Sequence, residues 1–205
     1  MPNIINVLQI GSHVGNTGND PLFSKNTSGM NIILIEPVPY LFEYLKKNYK
    51  EKEKDTKIQY LNIAVSNKDD TLELYIPSDK NDFTNYPFWA SQLASVMKDH
   101  VVKHIPNLIV DKHIVPCKRL NTIIKEQNIG KIEYLLIDTE GHDYEILMDL
   151  DLSILKPENI IFENKHMDGT FVRGDRYNSL LNYFISNGYE LVSYNGEDTH
   201  IHLKN

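Results

Sequence analysis

The sequence is poor in features that several protein classes require. Its 205 residues include one cysteine, Cys117, which excludes an internal disulfide and a zinc cluster built from cysteines. No apolar run approaches the ~20 residues of a membrane-spanning helix, and no charged leader precedes the first apolar segment. We therefore expect a soluble, cytoplasmic protein with no membrane partner, in which Cys117 is a small buried residue.

The chain also lacks the basic excess of proteins that bind nucleic acids. Lysine and arginine number 21 against 28 aspartate and glutamate residues, which gives a net charge of −7. A phosphate backbone attracts a positively charged surface, so we expect no nucleic-acid partner and favour small molecules or neutral glycans. With 41% hydrophobic residues, the chain is long enough to bury the core of one domain over residues 1–205.

A glycine loop between two apolar segments is the main feature of the first part of the chain. Ile4–Ile10 and Ile32–Ile35 predict buried strands, and the loop after the first of them contains Gly11 and Gly15. Glycines let backbone N–H groups approach a ligand, and an acidic residue about 20 positions later, here Glu36, accepts ribose hydroxyls. The spacing differs from the G-x-G-x-x-G pattern of dinucleotide enzymes, and no Gly-Lys-Ser/Thr marks a P-loop. The loop therefore suits S-adenosylmethionine, which has a ribose but no phosphate.

Strand and helix patterns alternate along the rest of the chain. We predict further strands at residues 58–65, 72–76, 114–117, 132–137, 159–162, 189–194 and 199–203. We predict helices at residues 39–49, 91–104, 120–127 and 177–187, and a short helix that Asn19 or Asp20 caps with Pro21 at its first position. This alternation predicts an α/β, doubly wound sheet that is mostly parallel and is closed by an antiparallel C-terminal edge hairpin.

Polar and acidic residues follow nearly every predicted parallel strand. Open parallel sheets bind ligands at the carboxyl ends of their strands, so these positions are expected to converge on one site. A single carboxylate there is more often the N-cap of the next helix, but several together indicate a site. They are Gly11–Gly15, Glu36 and Pro37, Asn62–Ser66, Asp138–His142, and Glu163–His166.

Several of these segments resemble the FkbM family of S-adenosylmethionine-dependent methyltransferases. The similar segments are residues 7–21, 33–49, 61–77, 115–124, 135–147 and 160–166, and the block around Asp138-Thr-Glu140-Gly is the most specific of them. The resemblance implies a Rossmann-like class I methyltransferase fold and methyl transfer, usually to a hydroxyl of a sugar, glycan or secondary metabolite. The alternative is a nucleoside-binding member of the fold that is catalytically inactive and serves as an interaction module.

The resemblance also implies cofactor-binding roles. The glycine loop would hold the methionine part of the cofactor, Glu36 the ribose hydroxyls, and residues 62–65 the adenine edge. One departure is Gln9, because class I enzymes commonly have an acidic residue two positions before the first glycine. The full expected set is Gln9, Gly11, Ser12, His13, Gly15, Asn16, Glu36, Pro37, Asn62, Ala64, Val65 and Asp138.

Methyl transfer to a hydroxyl needs a means of removing the hydroxyl proton. A general base is one solution, and His166 or His142 is expected to serve, with Asp138 and Glu140 orienting it. A divalent cation such as magnesium is the other solution, because Asp138, Glu163 and Asn164 carry the oxygen ligands that hard cations prefer. The sequence leaves this choice open.

The long segment from Ser78 to His113 is expected to be an insertion that covers the site as a lid. A partner subunit of a homo-oligomer is the other way to cover it. The segment contains an aromatic stretch that either stacks on a substrate or packs as core, namely Phe83, Tyr86, Phe88 and Trp89. The remaining histidines lie in segments expected at the surface or an edge, namely His100, His104, His113, His200 and His202.

Overall fold

The computed structural model describes residues 1–16, 20 and 22–204, without the side chain of Phe88. Its strands are β1 Asn3–Ile10, β2 Asn31–Ile35, β3 Lys57–Leu61, β4 Ala64–Ser66, β5 Asp70–Pro77, β6 Val110–Arg119, β7 Ile129–Ile137, β8 Asn159–Glu163, β9 Tyr189–Tyr194 and β10 Asp198–Leu203. Its α-helices are α1 Pro39–Tyr49, α2 His100–His104, α3 Leu120–Glu126, α4 Asp143–Asp149 and α5 Asp175–Ser186. None of the helices in the described ranges is long and apolar enough to cross a membrane.

A seven-stranded sheet forms the centre of the fold, in the order β3-β2-β1-β7-β8-β10-β9. The inner strands are parallel, with Leu8 of β1 opposite Ile33 on one side and Leu135 on the other. β10 runs antiparallel to both of its neighbours, β8 and β9. The predicted α/β class, with a mostly parallel sheet and an antiparallel C-terminal hairpin, is therefore confirmed.

Both faces of this sheet are apolar, which explains the continuous β-branched runs of its strands. Leu8, Ile33 and Leu135 belong to a core that also contains buried residues of α3, α4 and α5. Ile32 and Leu34 face the other side, where Leu45 and Tyr49 of α1 cover them. As predicted, α1 begins at a proline, Pro39, whose missing N–H costs nothing in the first turn.

The single strand predicted at residues 58–65 is wrong. β3 ends at Leu61, and β4 pairs instead with β6 in a separate three-stranded sheet of order β4-β6-β5. Between the two strands, the side-chain amide of Asn62 donates to the backbone carbonyls of Glu36 and Pro37, over 2.8 and 3.2 Å. These contacts hold the chain at the end of β2 and redirect it out of the main sheet. The predicted strands at 72–76 and 114–117 both belong to this second sheet.

Two predicted helices also differ from the structure. In place of the helix at 91–104 there is a 3-10 turn at Phe88–Gln92, a bridge between Ser95 and Tyr75, and the short helix α2. The predicted helix start at Asn19 and Pro21 lies outside the described residues. The described part, residues 22–25, forms a turn in which the Asp20 carboxylate accepts the N–H groups of residues 22 and 23.

The segment between β5 and β6 has a small apolar core of its own. Ala90, Leu93, Val101 and other buried side chains form this cluster, and Phe83 and Tyr86 pack against it. Trp89 packs against the same cluster, so the structure agrees with packing as core for Phe83, Tyr86 and Trp89. Residues 110–113 belong to β6, so the segment between β5 and β6 ends at residue 109 and not at His113, where we expected it to end. Cys117 is buried, as expected.

Candidate functional site

A cavity of about 530 Å³ opens at the carboxyl ends of β1, β2, β7 and β8. This volume is in the range of cavities that hold small molecules. Residues from each of the expected strand ends line it, and the segment between β5 and β6 adds Trp89 and His104 to its wall. Expected site residues on the lining are Gln9, Gly11, Ser12, His13, Glu36, Pro37, Ala64, Val65, Asp138, Glu140, His142, Glu163 and His166. The predicted convergence of the strand ends is thus present.

Gly11 sits where two strand ends come closest. Its φ is +81°, a value that side chains other than glycine rarely adopt. A Cβ at this position would lie 1.8 Å from the carbonyl oxygen of Asp138. The N–H groups of Gly11 and Ser12 both donate to the carbonyl of Ile35, each over 3.0 Å. The absence of a side chain therefore lets β1, β2 and β7 meet at the cavity.

Glu36 connects the glycine loop to the end of β2. Its carboxylate accepts the backbone N–H of His13 and that of Val38, each over 2.8 Å. Burial, opposed by these two hydrogen bonds, raises the pKa of Glu36 to about 7. His13 is itself recessed, and burial lowers the pKa of its imidazole to about 4. Neither ring nitrogen of His13 has a partner among the described residues.

Gln9, the departure noted in the sequence, has an acidic neighbour after all. Its side-chain amide donates to the carboxylate of Asp20 over 3.1 Å, and both residues line the cavity. Burial raises the pKa of Asp20. Asp20 thus brings a carboxylate next to Gln9, the strand position at which the resemblance led us to expect an acidic residue. We expected Asp20 only as a helix cap, because no local pattern relates it to Gln9.

Three of the expected cofactor residues do not line the cavity. A Cβ on Gly15 would lie 2.4 Å from the Tyr49 ring, so this glycine allows the loop to pack on α1. Asn16 is exposed. The Asn62 amide is engaged with two backbone carbonyls, as described above, and positions the chain rather than a ligand.

The magnesium site expected at Asp138, Glu163 and Asn164 is not assembled. Asn164 is fully buried away from the cavity, and its amide donates to the Thr199 hydroxyl over 3.1 Å. Asp138 and Glu163 do line the cavity. Asp143, buried beneath them, accepts hydrogen bonds from the Thr139 side chain and the Glu163 backbone and so holds the two strand ends together.

The carboxylates of Asp138 and Glu163 influence each other. Asp138 is open to the cavity but otherwise surrounded by protein, and this partial desolvation raises its pKa well above the usual value, with a further contribution from Glu140. Burial raises the pKa of Glu163 to about 11, and the charge of Asp138 adds to that effect. These two groups therefore favour a positively charged ligand, because a cation would offset their repulsion.

His142 and His166 differ in whether they have a free lone pair. His166 Nδ1 accepts the backbone N–H of Phe171 over 2.8 Å, so in the neutral ring the proton is on Nε2. Burial lowers the pKa of His166 to about 3. This arrangement leaves His166 no lone pair with which to act as a base. His142 Nε2 lies 2.9 Å from the Ser66 hydroxyl, which can donate or accept, and burial lowers the pKa of His142.

Comparison with protein families decides the assignment. The family model described as the methyltransferase FkbM domain matches residues 9–191. The chain belongs to the FkbM methyltransferase family. The members of this family are S-adenosylmethionine-dependent methyltransferases. The FkbM match covers the glycine loop, Glu36, Asp138 and Glu163 together.

A solved structure agrees with the fold of this FkbM domain. An FkbM methyltransferase from Methylobacillus flagellatus is 13% identical, with a TM-score of 0.54, and the match covers 98% of this chain. That match covers 44% of the other chain, so this chain spans less than half of its length. An O-methyltransferase from Bacillus cereus, in complex with SAH, is 10% identical with a TM-score of 0.47, covering 97% of this chain and 74% of that one. No curated protein matches the sequence.

The sequence missed one group of residues in this FkbM domain. His100, which we expected at the surface, is fully buried, and its Nε2–H donates to Glu140 over 2.8 Å. His104 and His166 lie beside them, with ring centroids 4.9 Å apart. Glu140 adopts a φ of +52°, which presents its side chain to these rings. The available signal was the spacing of His100 and His104, which are one helical turn apart. His113 is exposed, as expected.

Proposed function

We propose that this FkbM domain transfers a methyl group from S-adenosylmethionine to a hydroxyl of a sugar, a glycan or a small metabolite. The observation that carries the proposal is Glu36 at the end of β2, fixed to the glycine loop through His13 and facing the cavity. A carboxylate in this position accepts the two hydroxyls of a ribose. The cofactor loop and the acidic strand ends share a single cavity, where the donor and the acceptor would meet.

The charge of the cavity also favours this cofactor. When bound, S-adenosylmethionine supplies a methyl group on a positively charged sulfur, and it carries an ammonium group as well. On the described lining, seven carboxylates face one lysine: Asp20, Glu36, Asp138, Glu140, Glu163, Glu197 and Asp198 against Lys165. Several of these side chains have raised pKa values in the ligand-free protein, and a cationic ligand would favour their charged forms. We assign the methionine end to Gly11 and Ser12, the ammonium group to Asp20, and the adenine to Ala64 and Val65.

We assign to Asp138 the role of the base that removes the proton of the acceptor hydroxyl. This carboxylate lines the cavity at the end of β7, directly beside Gly11. A hydroxyl needs a base within hydrogen-bond reach as its oxygen attacks the methyl carbon. The lone pair of His166 Nδ1 already accepts the N–H of Phe171, and the Glu140 carboxylate accepts a hydrogen bond from His100. Neither group is therefore available as the base. His142 is the second candidate base, because its partner Ser66 can either donate or accept.

The inserted segment at 78–109 would cover the acceptor. Trp89 lines the cavity together with Leu93 and His104, and its ring centroid lies 6.3 Å from that of His104. A flat aromatic face suits the apolar side of a sugar ring or a small phenol. A partner subunit of a homo-oligomer is the alternative to this segment as a cover for the cavity. We further propose that the protein acts in the cytoplasm, without nucleic-acid or membrane partners. The proposals on compartment and nucleic-acid partners rest on the net charge of −7 and on the single cysteine.

Ligand binding followed by a transfer assay tests the function. S-adenosylmethionine and S-adenosylhomocysteine should each stabilise the protein in a thermal-shift titration, by about 2.7 kcal/mol at 100 times the dissociation constant. NAD should not. A labelled methyl group should then appear on a hydroxyl compound in a screen of sugars, nucleotide sugars and small phenols. No stabilisation by either sulfur ligand would refute the proposal. Binding without transfer to any acceptor would favour the catalytically inactive alternative.

A further inference from the structure

Three imidazoles and one carboxylate converge beside the cofactor cavity. His100 and His104 come from α2, Glu140 from the loop after β7, and His166 from the loop after β8. Each offers one ligand atom, and these atoms all lie within 4.8 Å of one another. The ring centroid of His100 lies 4.4 Å from that of His104 and 4.7 Å from that of His166. This donor set, which we name the histidine cluster, is built from three separate parts of the fold.

Hydrogen bonds orient two of these rings as they would orient metal ligands. His104 Nδ1 lies 3.0 Å from the backbone carbonyl of His100, to which it can only donate, so the lone pair of its neutral ring is on Nε2. His100 Nδ1 lies 3.1 Å from the Thr170 hydroxyl. In the tautomer that has its proton on Nδ1, this hydroxyl accepts a hydrogen bond from Nδ1–H, and the lone pair on Nε2 is available to a cation in place of the hydrogen bond to Glu140. A metal-binding histidine usually donates its other N–H to a carbonyl or a similar group. The carbonyl of Glu140 is held in turn by the Ser95 hydroxyl, over 2.7 Å.

His166 has a different role in the cluster. Its Nδ1 accepts the Phe171 N–H, so Nε2 carries a proton and cannot bind a cation while that contact persists. Nε2 lies 3.4 Å from Glu163 and 3.9 Å from Glu140, which suits a donor to carboxylates. The ligand set is therefore two histidines and one carboxylate, with His166 beside it.

We propose that His100, His104 and Glu140 form a binding site for a divalent transition metal. Two imidazoles with one carboxylate are typical of zinc and non-haem iron sites, whereas magnesium and calcium prefer oxygen ligands throughout. Bound ligand atoms on tetrahedral zinc lie roughly 3.3 Å apart. The ligand atoms of His100, His104 and Glu140 lie within 4.8 Å of one another, so they have to approach by roughly 1.5 Å at most. Because His104 and Glu140 also line the cavity, the remaining coordination positions face it. The site is distinct from the magnesium site that the sequence predicted.

Metal titration of the full chain tests this proposal without cofactor or acceptor. After chelation and dialysis, the protein is titrated with Zn²⁺ by calorimetry and with Co²⁺ by its visible absorption, which reports nitrogen ligands. We expect one equivalent to bind, without competition from an equal concentration of Mg²⁺. Since no methyl donor is present, the result is independent of the methyl-transfer proposal.

Two variants and a matched control complete the test. His104 is only half-buried, so His104→Ala should fold, and it should weaken metal binding by about a hundredfold or more. Glu140→Gln keeps the shape of the side chain and should weaken binding at least about tenfold. His113→Ala removes an exposed histidine of β6 and should leave binding unchanged. Absence of stoichiometric binding, or equal affinity in the wild type and His104→Ala, would overturn the proposal.

Discussion

The carboxylate of Glu36 accepts the backbone N–H of His13 over 2.8 Å and so ties the end of β2 to the glycine loop. Its second oxygen accepts the N–H of Val38 at the start of α1. Both oxygens are therefore held in place before any ligand arrives. Each still has lone-pair capacity for a hydroxyl donor, so the ribose would meet a carboxylate that is already oriented.

Replacing Glu36 by glutamine should weaken S-adenosylmethionine binding by about tenfold to a hundredfold. Charge-assisted hydrogen bonds to the ribose hydroxyls contribute about 1.5–3 kcal/mol, and the neutral amide loses that charge. Calorimetric dissociation constants measure the effect. Glu43→Gln, at an exposed position of α1, is the control and should bind as the wild type does. Unchanged affinity in Glu36→Gln would show that Glu36 only holds the loop.

The same carboxylate should make the stability of the ligand-free protein depend on pH. Its pKa of about 7 in the folded protein lies above the ordinary value of 4.5, so between these values the folded protein keeps a proton that the unfolded chain has lost. The free energy of unfolding therefore falls as pH rises through this window, by about 3 kcal/mol in all. Denaturant unfolding at pH 5 and pH 8 should show this loss relative to Glu36→Gln. Parallel curves for the two proteins would contradict the expectation.

Gln9 and Asp20 should act as one unit in cofactor binding. Asp20→Asn removes the charge that we assign to the ammonium group, and Gln9→Ala removes the hydrogen bond that positions it. Each should weaken S-adenosylmethionine binding by roughly tenfold, because the same contact is lost in both. The double variant should bind little worse than either single one, since the residues are coupled. Additive losses, measured in a double-mutant cycle, would show that Gln9 contributes independently of Asp20.

Gly11→Ala should destabilise the fold and the cavity together. The new Cβ would lie 1.8 Å from the Asp138 carbonyl, at a φ of +81°. Strain of this kind costs about 1–3 kcal/mol from the backbone alone, and the displaced strand end adds to it. Gly196→Ala is the control, because nothing lies within 4 Å of its added Cβ. The free energies of unfolding of the two variants should differ by about 2 kcal/mol or more; similar values would contradict this account.

Asp138→Asn should slow methyl transfer without preventing cofactor binding. A general base contributes about a hundredfold to ten-thousandfold in rate, so kcat should fall within that range once an acceptor is known. The dissociation constant of S-adenosylhomocysteine should change by less than about tenfold. His142→Ala is the comparison, because it removes the second candidate base. If His142→Ala lost more activity than Asp138→Asn, the roles of the two residues would have to be exchanged.

Much of the fold was predictable because its signals are local. The segments Ile4–Ile10 and Ile32–Ile35 are rich in isoleucine, and they lie in strands of the main sheet. The boundary at Asn62 was not predictable, because residues 58–65 are uniformly strand-like. The amide contacts that end β3 join Asn62 to Glu36 and Pro37, which are distant in the chain.

The histidines illustrate the same limit within the site. His100 and His104 lie at the end of the helix that we predicted at residues 91–104, and isolated histidines in that segment were expected at the surface. His100 is instead buried against Glu140, 40 positions away in the chain. His166 follows a strand end, which is why we expected it to be a base. In the structure, the Phe171 N–H of the same loop donates to its lone pair, so His166 cannot accept a proton there.

The sequence alone predicted most strands of the main sheet, the glycine loop, and the acidic strand ends that meet at one edge of the sheet. It could do so because apolar periodicity, glycine positions and the geometry of parallel sheets act over short stretches of chain. Three outcomes depend on the tertiary structure. The Asp20 carboxylate accepts a hydrogen bond from Gln9, Asn164 is buried away from the cavity, and the histidine cluster forms. These outcomes depend on how loops distant in sequence pack together, and no local pattern encodes that packing.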